Sequence, residues 1–118
     1  MDAAIDFLDT VIDLLGPFGT VSVLPIPAGH GIHIDGMLLA IVIGDTMWMK
    51  TDAMNQVDFE AVGARALPAE ERRVDLPGGF HSAPDAALQS ATAMLPWARS
   101  AYDAALRSGH RVLSARGH

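Results

Sequence analysis

Two short turn signals, Asp35-Gly36 and Gly44-Asp45, bracket an apolar run from Met37 to Ile43. The stretch they organise is GHGIHIDGMLLAIVIGDTMWMK, residues 29–50. Asp-Gly is a two-residue turn that needs positive φ, and a glycine at the first central place suits a type II′ turn. Before the first turn Ile32 and Ile34 alternate with His33 and Asp35. After the second, Met47 and Met49 alternate with Trp48 and Lys50. The run between them has the length of a strand buried on both faces or nearly so. The pattern predicts three antiparallel strands in a meander, and the flanking segments then have to cover it.

Those segments carry helix signals. Over residues 2–15, Ala4, Ile5, Leu8, Val11, Ile12 and Leu15 share one face at helical spacing. Asp2, Asp6, Asp9 and Asp13 line the other; Asp2 suits the cap and Gly16-Pro17 the stop. Val21 to Ile26 predicts a strand, which Pro25 and Pro27 confine to a sheet edge or end early. Gly29 and Gly31, around His30, permit unusual backbone angles or the close approach of another group. Thr51 to Val62 predicts a second helix, with Asp52 as N-cap, Asn55 three residues on and Gly63 as its stop. Met54, Val57 and Ala61 read as its inner stripe, with Phe59 or Val62 beside it. Residues 64–71 read as loop, Glu70 to Arg73 as a solvated polar cluster, and Arg73 to Leu76 as a weak strand. Pro77-Gly78-Gly79 interrupts that strand and Phe80 resumes it. Ser82-Ala83-Pro84-Asp85 predicts a short helix to about Gln89, with Ser82 as its cap. The last helix, capped at Ser90 or Thr92, is expected from about Ala93 to Ser108, with Gly109 ending it. Its stripe is Leu95, Ala98, Ala101, Tyr102 and Ala105, Trp97 is its anchor, and Pro96 is tolerated only near its start. The sum is a two-layer α+β fold: an antiparallel meander sheet of five or six strands with helices packed on it. One domain is expected over residues 1–109, followed by a short basic tail, 110–118.

Charge narrows the function classes. Residues 1–60 hold nine acids and one base, Lys50, while residues 61–118 hold five acids and seven arginines. An acidic chain repels nucleic-acid phosphates at long range, so direct nucleic-acid binding is not expected. No run approaches the ~20 apolar residues that span a bilayer. Neither cysteine nor a secretory leader is evident, which suits the cytoplasm. Half the residues are hydrophobic, high for a small domain, and this points to an apolar surface covered by a partner copy.

Catalytic chemistry finds little purchase. There is no cysteine nucleophile and no G-x-S-x-G elbow, and Glu70-Glu71 on a polar turn lacks the burial that tunes a carboxylate. The GHG turn lacks the glycine spacing of a phosphate loop. The aspartate row of the first helix has no second element to complete a cation shell. Trp48 and Trp97 read as anchors rather than stacking platforms. His30 and His33 are the best metal candidates; a site there needs a third ligand, from Asp35, His81 or a neighbouring chain. No cofactor is expected, and His110 and His118 lie in the tail.

Three segments, in this order, resemble the N-terminal domain of the TfoX/Sxy competence regulators. They are the stretch 29–52, with Gly29, Gly31, Asp35, Gly36 and Lys50; FHSAPDAAL, 80–88; and LPWARSAYDAAL, 95–106, with Pro96 and Trp97. With the first helix the likeness covers about residues 2–108. It departs at His33, where members often place an aromatic, and at Leu-Pro-Gly-Gly-Phe-His, 76–81, where they tend to have an unbroken strand. The resemblance implies a fold like that of type III secretion chaperones. It also implies a non-enzymatic role in competence-gene transcription through a protein partner, such as a transcription factor; the homodimer is expected from the hydrophobic composition. Regulators of this family continue into a C-terminal domain, so a standalone N-terminal-like domain is expected here. The alternative is a small-molecule- or metal-binding domain built on the His30/His33 turn; a hydrolase is the remote third.

Overall fold

The computed structural model describes residues 3–68 and 79–108. Helix α1 (Ala3–Leu15) leads into strands β1 (Val21–Ile26), β2 (Gly29–Ile34), β3 (Met37–Ile43) and β4 (Thr46–Thr51). Helix α2 (Gln56–Ala61), strand β5 (Gly79–Ser82), a 3₁₀ turn (Asp85–Gln89) and helix α3 (Ala91–Ser108) complete it. The five strands form one antiparallel sheet in the order β1-β2-β3-β4-β5. The α+β fold is therefore the one the sequence predicts. Several expectations lie outside the described residues: the Asp2 cap, the Ala4 and Ile5 side chains, the Glu70–Arg73 cluster, the Arg73–Leu76 strand, Pro77-Gly78, the Gly109 stop and the 110–118 tail with His110 and His118.

Local chemistry explains the meander. Asp35 and Gly36 both have positive φ, 53° and 77°, so the first turn is of type I′. Gly44 has φ 63° and Asp45 does not turn positive, as a II′ turn requires. Pro25 lies on β1, an outer strand, where a missing donor costs no ladder bond. One irregularity was not legible: Ile32 faces Ala40 but His33 faces Leu38, which leaves Leu39 as an extra residue in β3. The bulge sends both Leu39 and Ala40 into the core under the helices.

The helices cover one face of the sheet. Val11, Leu14 and Leu15 of α1, Phe59 of α2, and Met94, Ala98 and Ala101 of α3 pack on Ile32, Ile34, Leu39, Val42, Met47 and Met49. A smaller cluster, Ile41, Trp48, Leu67 and Phe80, lies on the other face. Both faces of β4 are therefore buried, Trp48 and Lys50 included. Residues 65–67 run beside β5: Ser82 N–H donates to the Arg65 carbonyl at 2.8 Å, and Leu67 N–H donates to the Phe80 carbonyl at 2.9 Å. They cover the outer edge of that strand.

Three helix expectations are corrected. Ser82 does not cap a helix; it ends β5, and its hydroxyl accepts from Arg65 N–H at 2.9 Å. Helix α3 starts two residues earlier than predicted, because Ser90 Oγ accepts from Ala93 N–H at 3.0 Å; Pro96 falls in its second turn. Its buried residues are Met94, Ala98, Ala101, Ala104 and Ala105, while Leu95 is exposed. Helix α2 is half the expected length and faces the other way. Asn55 and Phe59 point inward, and Met54, Val57 and Ala61 point out.

Candidate functional site

The reversal of α2 builds the surface of interest. Asp52 and Asn55 bond reciprocally just ahead of the helix. Asp52 N–H donates to Asn55 Oδ1 at 2.7 Å, and Asn55 N–H donates to Asp52 Oδ1 at 3.2 Å. This is a capping box with a short-chain amide in the usual Glu/Gln place. Asn55 is buried, and its Nδ2 donates to the Lys50 carbonyl and to both the carbonyl and hydroxyl of Ser100. At the far end Gly63, φ 85°, closes a Schellman motif, with Ala64 N–H on the Phe59 carbonyl and Gly63 N–H on the Glu60 carbonyl. Both ends of a one-and-a-half-turn helix are thus pinned, and Asn55 holds it against α3.

Arg107 in the last turn of α3 locks the same corner. Its Nε and Nη2 donate to the two Asp52 carboxylate oxygens at 2.6 and 2.9 Å. These bonds, with the Asn55 and Met54 amides, hold the Asp52 carboxyl down at about 2, against partial burial. A carboxyl depressed in the fold stabilises it above the ordinary value of 3.8, and that contribution is lost as pH falls through about 2. Allowing for solvent on both partners, acidification from about pH 5 to about pH 2 should cost on the order of 1 kcal/mol through this group. Asp52→Asn should remove that part of the pH slope in urea melts; an unchanged slope would contradict the assignment.

On the outer side Met54 is 69% and Val57 60% exposed, with Ala61 beside them. Next to this ridge a groove of about 360 Å³ runs between α2 and α3, lined by Asp58, Ala61, Pro96, Trp97 and Ser100. Trp97, in its lining, packs at a steep angle on buried Phe59, centroids 4.9 Å apart and planes 68° apart. A shallower hollow continues past Arg99 and Asp103. A cleft at the opposite end, about 350 Å³, is walled by Asp45, Arg65 and Asp85. Backbone amides there, such as Ala83 N–H on the Met47 carbonyl, are already paired.

The histidines do not converge. Strand alternation puts His30 on the helix side with Ile32 and Ile34, and His33 on the other side beside Leu38. His81 lies on the helix side of β5, three strand spacings or about 14 Å from β2. Asp35 sits in a turn and accepts a 3.4 Å bond from the Tyr102 hydroxyl. Among the described residues no three His, Cys, Asp or Glu side chains are grouped to hold a metal. Burial lowers the His33 pKa, against the opposing pull of the Gly31 carbonyl, and its Nδ1 has no partner among the described residues.

His81 carries a network that pattern reading missed. Its Nε2 lies 3.0 Å from Glu60 Oε2, and its Nδ1 lies 2.8 Å from Thr51 Oγ1. The carboxylate can only accept, so Nε2 donates to Glu60, and the Thr51 hydroxyl, which both donates and accepts, partners Nδ1. The sequence of groups resembles a nucleophile relay, yet Thr51 is 1% exposed and closed off from solvent. The network ties α2 to the sheet. Lys50 is buried, with Nζ 5.1 Å from the Phe80 ring centroid.

A family model described as the TfoX N-terminal domain matches residues 13–105 of the 118. No curated protein matches the chain.

Proposed function

The chain belongs to the TfoX N-terminal domain family, and from that premise we propose a non-enzymatic, cytoplasmic protein-interaction domain. It acts as a transcriptional co-regulator or adaptor by contacting another protein. One observation carries the reading: an apolar ridge of Met54, in the turn ahead of α2, with Val57 and Ala61 of the helix is turned to solvent on a segment fixed at both ends. A stripe with core composition and helical spacing, left exposed beside a groove, is what a protein partner buries. Pinned ends also mean that the surface is preorganised, so little ordering entropy opposes binding. The absence of a membrane-crossing helix among the described residues agrees with this role.

Chemical cross-linking in a lysate of the native cell tests it. A discrete cross-linked species, with itself or another protein, is expected for the wild type and should disappear for Val57→Asp. A wild-type chain that cross-links to no protein would overturn the reading.

A further inference from the structure

Resting on that reading, we infer that the occupant of the α2–α3 face is a second copy of this chain, packed antiparallel across a twofold axis beside Val57. Ridge and groove lie next to each other on this one face. A twofold rotation therefore places the Met54–Val57 ridge of each copy in the Ala61–Pro96–Trp97 groove of the other, as an isologous contact requires. In this packing Met54 of one copy faces Ala61 of its partner, and the two Val57 residues lie nearest the axis.

Charge supports the same occupant. The face carries both signs: Asp58 is exposed, Arg99 lies 5.2 Å over the Phe18 ring and 3.9 Å from Asp103 of its own helix with its side chain still 64% exposed, and Arg107 is already neutralised by Asp52. One copy can thus set Asp58 against the Arg99 of another. The outer face of α1 carries exposed Asp6, Asp9 and Asp13 and would repel its own image. At the sheet edges, Pro25 removes one donor from β1 and residues 65–67 cover β5. A chain that is half hydrophobic, with a mean hydropathy of +0.25, also has apolar surface to bury.

Light scattering on a sizing column tests the inference. The wild type is expected at the mass of two chains. Val57→Asp and Met54→Glu are expected at the mass of one, with unchanged circular dichroism. Asp58→Arg should weaken the dimer about tenfold, and adding Arg99→Asp should restore most of the loss. A wild-type dimer indifferent to Val57→Asp would overturn this surface. A wild-type monomer whose capture of another protein is lost in Val57→Asp would overturn the second copy but leave the interaction reading standing. A monomer that captures nothing would end both.

Discussion

Gly29→Ala is expected to lower the unfolding free energy by about 3 kcal/mol or more, at the top of the range for overpacking. A Cβ built on Gly29 falls 2.0 Å from the Val42 carbonyl oxygen and 3.3 Å from Ile43 Cα, all backbone. Val42 is held in register by His30 on one side and Met47 on the other. It cannot retreat without breaking the centre of the sheet. Two other glycines of the meander should tolerate alanine better, for different reasons. At Gly31 the obstacles are His33 Cε1 and Leu38 Cδ1 at 3.2 and 3.3 Å, both ends of side chains. At Gly36 there is open space but φ is 77°, which costs a side chain about 1–2 kcal/mol. Urea midpoints should therefore place Gly29→Ala well below the other two variants. Equal midpoints for all three would mean that β2 and β3 do not approach as described.

Phe59→Ala should cost about 4 kcal/mol. Phe59 is fully buried, meets the Trp97 edge and lies 6.2 Å from the His81 ring. It is the sole residue of α2 buried in the apolar core, because Met54, Val57 and Ala61 point out. Its loss leaves α2 held by polar contacts alone: Asn55 to Ser100, Asp52 to Arg107 and Glu60 to His81. Met54→Ser and Val57→Ser, at a dilution where the chain is monomeric, should each change stability by less than about 0.5 kcal/mol. The opposite ranking would restore the orientation that helical spacing suggests.

That orientation shows where sequence reading ends. The meander was legible because its determinants are local: Asp35-Gly36 and Gly44 set their own dihedrals, and Pro25 declares an edge strand. The Gly63 stop and the Asp52–Asn55 pair were legible for the same reason. The direction α2 faces was not. A helix of six residues leaves room for few buried positions, and here they are Phe59 alone on the helix and Asn55 at its cap. Counting apolar residues then selects the wrong stripe, since Asn55 is accepted inside because Lys50, close by, and Ser100, 45 residues on, supply acceptors. The Leu39 bulge and the burial of Lys50 and His81 likewise depend on what the neighbouring strand or segment presents. An ideal pleat already puts His30 and His33 on opposite faces, and the glycines around His30, which could have relaxed it, leave them there. The groove, shared by two elements, had no signature of its own, although Pro96 and Trp97 in its lining carried part of the family likeness.

Because the chain contains no cysteine, one substitution tests the central claim directly. Two cysteines join only when their Cα atoms come within about 7 Å, so a disulfide reports which surfaces meet. Under mild oxidation the Val57→Cys chain should convert to a covalent dimer, while Asp9→Cys, on the outer face of α1, should stay a single chain at the same concentration. Equal cross-linking at both positions, or none at position 57, would contradict the α2 face as the surface where this protein meets its partner copy.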